Sequence, residues 1–390
     1  MVRLTPEGVR DQRSLLFPLF LVILLLTGLG LTALYSASSY RAGQLAGDSF
    51  HYVKRQMLFV LLGVSGGIFI TLIPDRVLRI IIPLALGISL VLMILTLTTP
   101  LGEVRLGARR WLRIGPLSMQ PSEVVKVSVI LFLANYLGKH DRDMQRLSVT
   151  LIPVGVSLLF AALILLQRDF STAVLFITVC FAMIAVSSTR LIYLVYVMLI
   201  TVIPGALLLL SEEYRFRRVL GFLFSEADPS GINYQVNMSL RAVAAGGIWG
   251  SGFGLGTVKY RIPEVSSDFI FAAYAEETGL IGVGVVTLLF IALGVIGFRS
   301  ASAHRRGDPR LFQLSFGCTC MVLWQALINM AVVIGALPPT GLPLPFFSLG
   351  GTNLTMVMVM CGCIARSVTI PAIRESSYGE LDSAEYVLYK

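Results

Sequence analysis

Four carboxylates stand close together in PEVSSDFIFAAYAEETG, residues 263–279, at the mouth of a stretch that is otherwise apolar as far as Gly297. Taking a proton from a hydroxyl requires a base within hydrogen-bond reach of it, a task that suits the carboxylates Glu264, Asp268, Glu276 and Glu277. Read as one helix, residues 268–298 span about 46 Å at 1.5 Å per residue, longer than a hydrocarbon core, so the first turns stand in the headgroup zone. Ser266, Ser267 or Asp268 is then the expected N-cap, and capping alone would account for Asp268. Glu276 and Glu277 ask for more. A charge within a spanning helix is costly unless it is paired or wet, so the dipeptide implies a polar cavity or a bound cation.

Cations that could stabilise a departing anion lie in GEVRLGARRWLRIGPLSMQPSEVVK, residues 102–126. Its Gly and Pro residues interrupt the helical pattern, Arg105, Arg109, Arg110 and Arg113 supply charge, and Trp111 suits a membrane interface. PSEVVK starts a helix, with Pro121 in the first turn, Ser122 or Gln120 as cap and Glu123 complementing the positive helix end. Lys126 lies a turn deeper, either paired with Glu123 at i,i+3 or facing a polar cavity. The run GGIWGSGFGLG, residues 246–256, is no nucleotide loop, because no strand precedes it and no lysine-serine pair ends it. Tight turns, close helix packing or backbone approach to a lipid phosphate remain for it.

The elements that must position these residues are membrane helices. Of the 390 residues 56% are hydrophobic and 14% charged, against about 25% charged in soluble domains. Ten apolar runs, near 15–36, 56–73, 78–98, 122–137, 148–166, 172–188, 191–211, 269–298, 311–334 and 351–370, predict an all-α integral membrane protein. The expected architecture is a polytopic bundle of ten transmembrane helices with a large outer loop between helices 7 and 8. Residues 1–14 form an N-terminal segment, 15–370 the membrane domain and 371–390 a tail. The first run is too long for a signal core and is read as a retained helix. An even count puts both termini on one face, and the short basic connections GKHDRDMQR and RSASAHRRGDPR mark that face as cytoplasmic. Segments 99–121, 212–268 and 335–350 are then outside.

A net charge of +9, shared with the outer face, calls for an anionic partner there, and a phosphate-bearing lipid fits better than nucleic acid. In the longest outer segment, YRFRRVLGFLF suits the headgroup layer, and YQVNMSLRAV puts Val236, Leu240 and Val243 on one helical face. Cys180, Cys318, Cys320, Cys361 and Cys363 fall inside helices, where a small apolar side chain packs. His51, His140 and His304 lie on different loops, which argues against a histidine triad or zinc site.

The chain resembles the SEDS family of polytopic bacterial glycosyltransferases, which includes RodA and FtsW, over essentially all of residues 15–370. The matching pieces, in family order, are GARRWLRIGPLSMQPSEVVK, QRDFSTA, YQVNMSLRAVAAGGIWGSGFGLG, PEVSSDFIFAAYAEETGLIG and LPPTGLPLPFFSLGG. The resemblance implies a bacterial inner-membrane enzyme polymerising lipid II into β-1,4 glycan strands on the outer face. By the same match, Asp268 corresponds to the family's essential aspartate and is the expected general base. Arg110, Ser122, Glu123, Lys126, Asp169, Gln235, Glu276 and Glu277 are the implied substrate-binding residues, with Arg110 and Lys126 facing the leaving diphosphate. A divalent cation such as Mg2+ or Mn2+ could share that work, and no nucleotide is needed.

The sequence departs from the family pattern at several positions. Gln167, Arg168 and Ser171 surround Asp169, Ser266 and Ser267 replace a histidine-containing pair, and SLGGTN stands where SYGGSS is common. LANYLGKH and RRVLGFLFSEADPSGINYQVNMSL look more like FtsW, whereas TGLPLPF is also typical of RodA. Expected partners are lipid II and the growing strand, a class B penicillin-binding protein as transpeptidase, other division or elongation proteins, and membrane lipid. The rival readings are a lipid flippase and a non-catalytic division scaffold.

Orientation is directly testable by cysteine labelling on a cysteine-free background. Ser230→Cys should react from outside and Ser302→Cys only after permeabilisation, and the reverse pattern would overturn the topology.

Overall fold

Lipid gives backbone groups no hydrogen-bond partner, so an apolar run must satisfy its own N–H and C=O groups, which a helix does. The computed structural model describes residues 14–105, 107–115, 117–190, 192–193, 195–199, 233–305 and 307–388. Its apolar runs are helical: α1 (Leu16–Ala46), α2 (His51–Leu72), α3 (Asp75–Thr98), α4 (Pro121–Lys139), α5 (Leu147–Leu166), α6 (Phe170–Ala185), α8 (Ile270–His304), α9 (Pro309–Val333) and α10 (Gly351–Leu388). Between α6 and α8 lies the shorter α7 (Asn233–Gly246). Seven of the described helices, α1, α2, α3, α5, α8, α9 and residues 351–370 of α10, are long and apolar enough to cross a membrane. Adding α4, α6 and the run near 191–211 agrees with the ten expected from sequence. Most of that last run lies outside the described residues, as do YRFRRVLGFLF and Ser230. The protein is a multi-pass membrane protein.

Helices alternate in direction, so the connections 99–120, 167–169, 247–269 and 335–350 gather at one end of the bundle. There the arginine-rich segment, irregular in the sequence reading, folds into an antiparallel sheet of order β1 (Gly102–Arg105), β2 (Ala108–Ile114), β3 (Leu117–Met119). Gly107 (φ 77°) and Gly115 (φ 62°) make its two turns. At the opposite end the buried Arg366 gathers the last turn of α2, donating to Ile70 O at 2.8 Å and Ile73 O at 2.6 Å, and pairs with Asp75 at 2.6 Å. Between these ends α2 and α10 meet backbone to backbone: a Cβ on Gly362 would stand 2.4 Å from Gly67 O. All five cysteines are free and buried, as packing residues should be.

The expected uninterrupted helix from 268 is broken at Gly279, whose φ of 64° and ψ of −165° only glycine adopts readily. An intact helix would join Leu280 N–H to Glu276 O and Ile281 N–H to Glu277 O. Here the glycine-rich run enters the gap. Leu280 N donates to Gly247 O at 2.9 Å and Ile281 N to Ile248 O at 3.3 Å, while Glu276 O and Glu277 O accept from Ser251 N and Gly252 N, each at 3.0 Å. Four lost helix groups are thus replaced by four loop groups, which is what lets the break persist in an apolar setting. The close-packing reading of GGIWGSGFGLG holds, with Gly250 at φ 80° where a Cβ would lie 2.1 Å from Glu277 O.

Gly279→Ala would place a methyl 2.4 Å from Gly250 N and 2.5 Å from Ile248 O. It should destabilise the protein by at least ~1–3 kcal/mol, the cost of the backbone strain alone. Thermal unfolding in detergent checks this; an unchanged midpoint would contradict it.

Candidate active site

Asp268 is held through its backbone. Glu264, itself left-handed at φ 53°, closes a turn by accepting from Ser267 N and Asp268 N, both at 3.1 Å. The carbonyls of residues 266–268 are all taken: Ser266 O by Leu349 N at 2.8 Å, Ser267 O by the Ser348 hydroxyl, and Asp268 O by Asn329 Nδ2 at 2.9 Å. The segment 263–268 therefore lies on a shelf made by α9 and residues 341–349. A Cβ on Gly341 would stand 3.5 Å from Asp268 Oδ2, so the carboxylate faces a residue with no side chain. It is half-buried, whereas Glu123, Asp169, Glu276 and Glu277 are at most 3% exposed. The N-cap of α8 is Phe269, which has no side-chain cap; capping by Ser266, Ser267 or Asp268 at that position is therefore corrected.

Lys126 and Glu123 form the i,i+3 pair that their spacing permits, at 2.8 Å and fully buried. Lys126 Nζ also donates to Gln325 Oε1 at 2.8 Å, and Glu123 Oε2 accepts from Asn353 Nδ2 at 2.8 Å. Gln325 Nε2 continues to Pro343 O at 2.9 Å, and Asn329, one turn on, holds Leu342 O at 2.8 Å together with Asp268 O. Two amides on one face of α9, about 6 Å apart along its axis, thus tie the lysine and the aspartate to the same loop.

The sheet positions the arginines through a bulge: Arg109 pairs with Val104 and Trp111 with Glu103, so Arg110 is the extra residue between them. Arg109 reaches back to Leu97 O at 3.0 Å, at the end of α3. Arg110 points the other way, donating to Arg168 O at 2.5 Å and standing 3.7 Å from Asp169, with 32% of its side chain exposed. Asp169 is the N-cap of α6, accepting from Thr172 N at 3.4 Å and from Gln120 Nε2 at 3.3 Å. Gln120 occupies the N-cap position of α4, with Pro121 next as expected, but its side chain goes to Asp169 and caps nothing. Gln120 N donates to Thr352 Oγ1 at 3.2 Å, so Thr352 and Asn353, adjacent at the start of α10, join the arginine group to the lysine group.

Glu276 and Glu277 are satisfied from within the chain. Glu276 accepts the N–H groups of Thr257 (2.6 Å), Val258 (2.8 Å) and Lys259 (2.8 Å); Glu277 pairs with buried Lys259 and accepts from Ser36 Oγ and Gly254 N. Lys259 takes the place that the sequence reading gave to a bound cation or a wet cavity. Gln235 is half-buried on α7. Val236 and Leu240 of the same helix pack beside Gly335, as their spacing predicts.

Several buried polar atoms near the arginine and lysine groups have no partner among the described residues: Arg110 Nε, Ser122 Oγ, Asn329 Oδ1 and both amide atoms of Gln167. Buried polar groups are normally satisfied, so these are places for water or a polar ligand. No group of three or more His, Cys, Asp or Glu among the described residues is placed to hold a metal ion. Sequence reasoning missed Gln325, Asn329, Lys259 and Ser36. Its available signal was the polar pair at i,i+4 inside an otherwise apolar span.

Residues 17–370 match the profile of a family described as cell cycle proteins, FtsW, RodA and SpoVE. The chain is 36% identical to stage V sporulation protein E of Bacillus subtilis (strain 168) over 351 residues, covering 89% of this chain and 94% of that protein. It is 34% identical over 349 residues to the "probable peptidoglycan glycosyltransferase FtsW" of Borreliella burgdorferi, covering 88% and 94%. Among solved structures it is similar to a chain of a peptidoglycan synthase complex that coordinates polymerization and crosslinking, with TM-score 0.72, 27% identity and coverage of 90% and 97%. It is also similar to a mutant of the rod shape determining protein RodA of Thermus thermophilus, with TM-score 0.66, 25% identity and coverage of 90% and 96%.

The buried pair gives a stability test. Lys126→Met leaves Glu123 charged in an apolar interior and should cost about 3–5 kcal/mol, whereas Lys126→Met/Glu123→Gln should recover most of that loss. Unfolding in detergent checks both variants, and equal stability of the two would contradict the pairing.

Proposed function

This chain belongs to the family of FtsW, RodA and SpoVE, and from that premise we propose that it is a peptidoglycan glycosyltransferase polymerising lipid II into β-1,4 glycan strands. The observation that carries the site assignment is the placing of Asp268. Its backbone is fixed by three consecutive carbonyl contacts, and its half-buried carboxylate faces Gly341, a residue with no side chain.

In this reading the Asp268 carboxylate accepts the proton of the acceptor sugar's hydroxyl as that oxygen attacks the donor's anomeric carbon. The bond from that carbon to the diphosphate oxygen breaks, and the polyprenyl diphosphate leaves with the bonding electrons. Displacement from the opposite face turns an α-linked donor into a β linkage. The partly exposed Arg110 guanidinium offers the leaving diphosphate a forked set of donors. Ser122 and Gln167 supply further unpartnered polar atoms in the segments joined to it. Lys126 acts from beneath, its charge shared with Glu123 and two of its three N–H directions committed. A divalent ion would have to draw most of its ligands from the substrate, so no step is assigned to one.

The sheet-bearing end is the outer face in this account, with both termini cytoplasmic, and a class B penicillin-binding transpeptidase is the partner that crosslinks the product. The likeness to FtsW and SpoVE relatives supports a role in division or septal wall synthesis ahead of elongation.

Purified protein supplied with labelled lipid II tests the reading. Asp268→Asn should reach the membrane, bind lipid II and lose polymerisation by at least ~100-fold, because the amide cannot take a proton. Near-normal polymer from this variant would remove Asp268 as base. Movement of lipid II across vesicles without polymer would favour a flippase.

A further inference from the structure

A general base must be held to within a fraction of an ångström of its hydroxyl, and the shelf fixes only one side of the segment that carries Asp268. The other side begins at Lys259. We infer that Lys259, Glu276 and Glu277 form a buried clamp whose work is to position Asp268, making them positioning residues and not ligands of substrate; the inference rests on Asp268 being the base.

Asp268 lies nine residues after Lys259 and nine before Glu277, at the midpoint of a loop whose two ends are fastened together. Three ties fasten them. The Glu276 carboxylate receives the three successive N–H groups that open the 3-10 turn Val258–Arg261, and it lies so close to the loop that a Cβ on Gly256 would stand 2.9 Å from its Cδ. Glu277 Oε1 meets Lys259 Nζ, and both groups engage the hydroxyl of Ser36, which carries the fastening across to α1. Gly254 N adds a third contact to Glu277 Oε1 at 3.1 Å. Adjacent residues on a helix project about 100° apart, so the two carboxylates grip the loop from two directions.

The break at Gly279 locks the same assembly from behind, because Ser251 N and Gly252 N hold the carbonyls of Glu276 and Glu277. Stability alone is a weak reason for such a cluster. A buried ion pair can often be replaced by apolar side chains without loss, whereas what it specifies is one geometry. The first two turns of α8 and the 3-10 turn are thereby fixed to each other, and only residues 262–269 span from one to the other.

The test separates positioning from folding. Lys259→Met should lower kcat for glycan polymerisation by about 10- to 100-fold, as expected when a catalytic group is displaced by about an ångström. KM for lipid II should stay within about twofold, because the lost interaction is not made with substrate. Amide hydrogen exchange over residues 262–268 should quicken. Lys259→Met/Glu277→Gln removes the uncompensated charge, so its thermal midpoint should return toward wild type while kcat stays low. Recovery of kcat together with stability, wild-type kcat in the single variant, or unchanged exchange would each overturn the inference. An inactive Asp268→Asn beside a fully active Lys259→Met strikes the clamp alone. An active Asp268→Asn strikes the base assignment and the clamp with it.

Discussion

Inside a bilayer a charge or a backbone polar group without a partner is too costly to keep, and the architecture of this protein follows from that constraint. Among the described residues, the three fully buried cations each have a carboxylate: Lys126 has Glu123, Lys259 has Glu277 and Arg366 has Asp75. The same rule governs the backbone. A membrane helix is broken at Gly279 only because a second stretch of chain supplies two donors and two acceptors to the groups that the break exposes. What looks in the sequence like an excess of polar residues in lipid is, in the fold, mostly a set of closed hydrogen-bonded accounts, with atoms of Arg110, Ser122, Gln167 and Asn329 among the exceptions.

Closing those accounts leaves chemistry at one end of the bundle. Asp268 is held there by its carbonyl and amide. At the bulge in β2 Arg109 goes to the end of α3 and Arg110 to Asp169, giving two adjacent arginines different work. Gln325 and Asn329 on α9, with Thr352 and Asn353 on α10, connect the aspartate, lysine and arginine groups into one framework. A displacement reaction needs a base on one side of the reacting carbon and cations on the other. A rigid framework that spans both is how a membrane enzyme could keep them apart and aligned.

The helices were legible because their signal is bulk hydropathy, which needs no tertiary knowledge. The PSEVVK helix start and the Glu123–Lys126 pair were legible because they are local, set by spacing alone. Motif resemblance supplied Asp268, Arg110 and Asp169. The break at Gly279 was not legible: its cause is a loop about 30 residues upstream, and glycine within a membrane helix is otherwise unremarked. Glu276 and Glu277 were singled out as charges that need an explanation, which they do. Their partners, Lys259 and Ser36, are set by long-range packing that no spacing rule reveals. The small sheet was hidden by its short strands and glycine turns, which in sequence look like irregular loop.

The central claim is that the Asp268 carboxylate removes a proton during glycan synthesis, and chemical rescue tests it most directly. In Asp268→Ala the side chain is gone, and space is left beside Gly341 for a small carboxylate. The account predicts that added formate restores polymerisation in proportion to the concentration of formate ion, with chloride at the same ionic strength having no effect. Equal rates in formate and chloride, or substantial activity with neither, would contradict it.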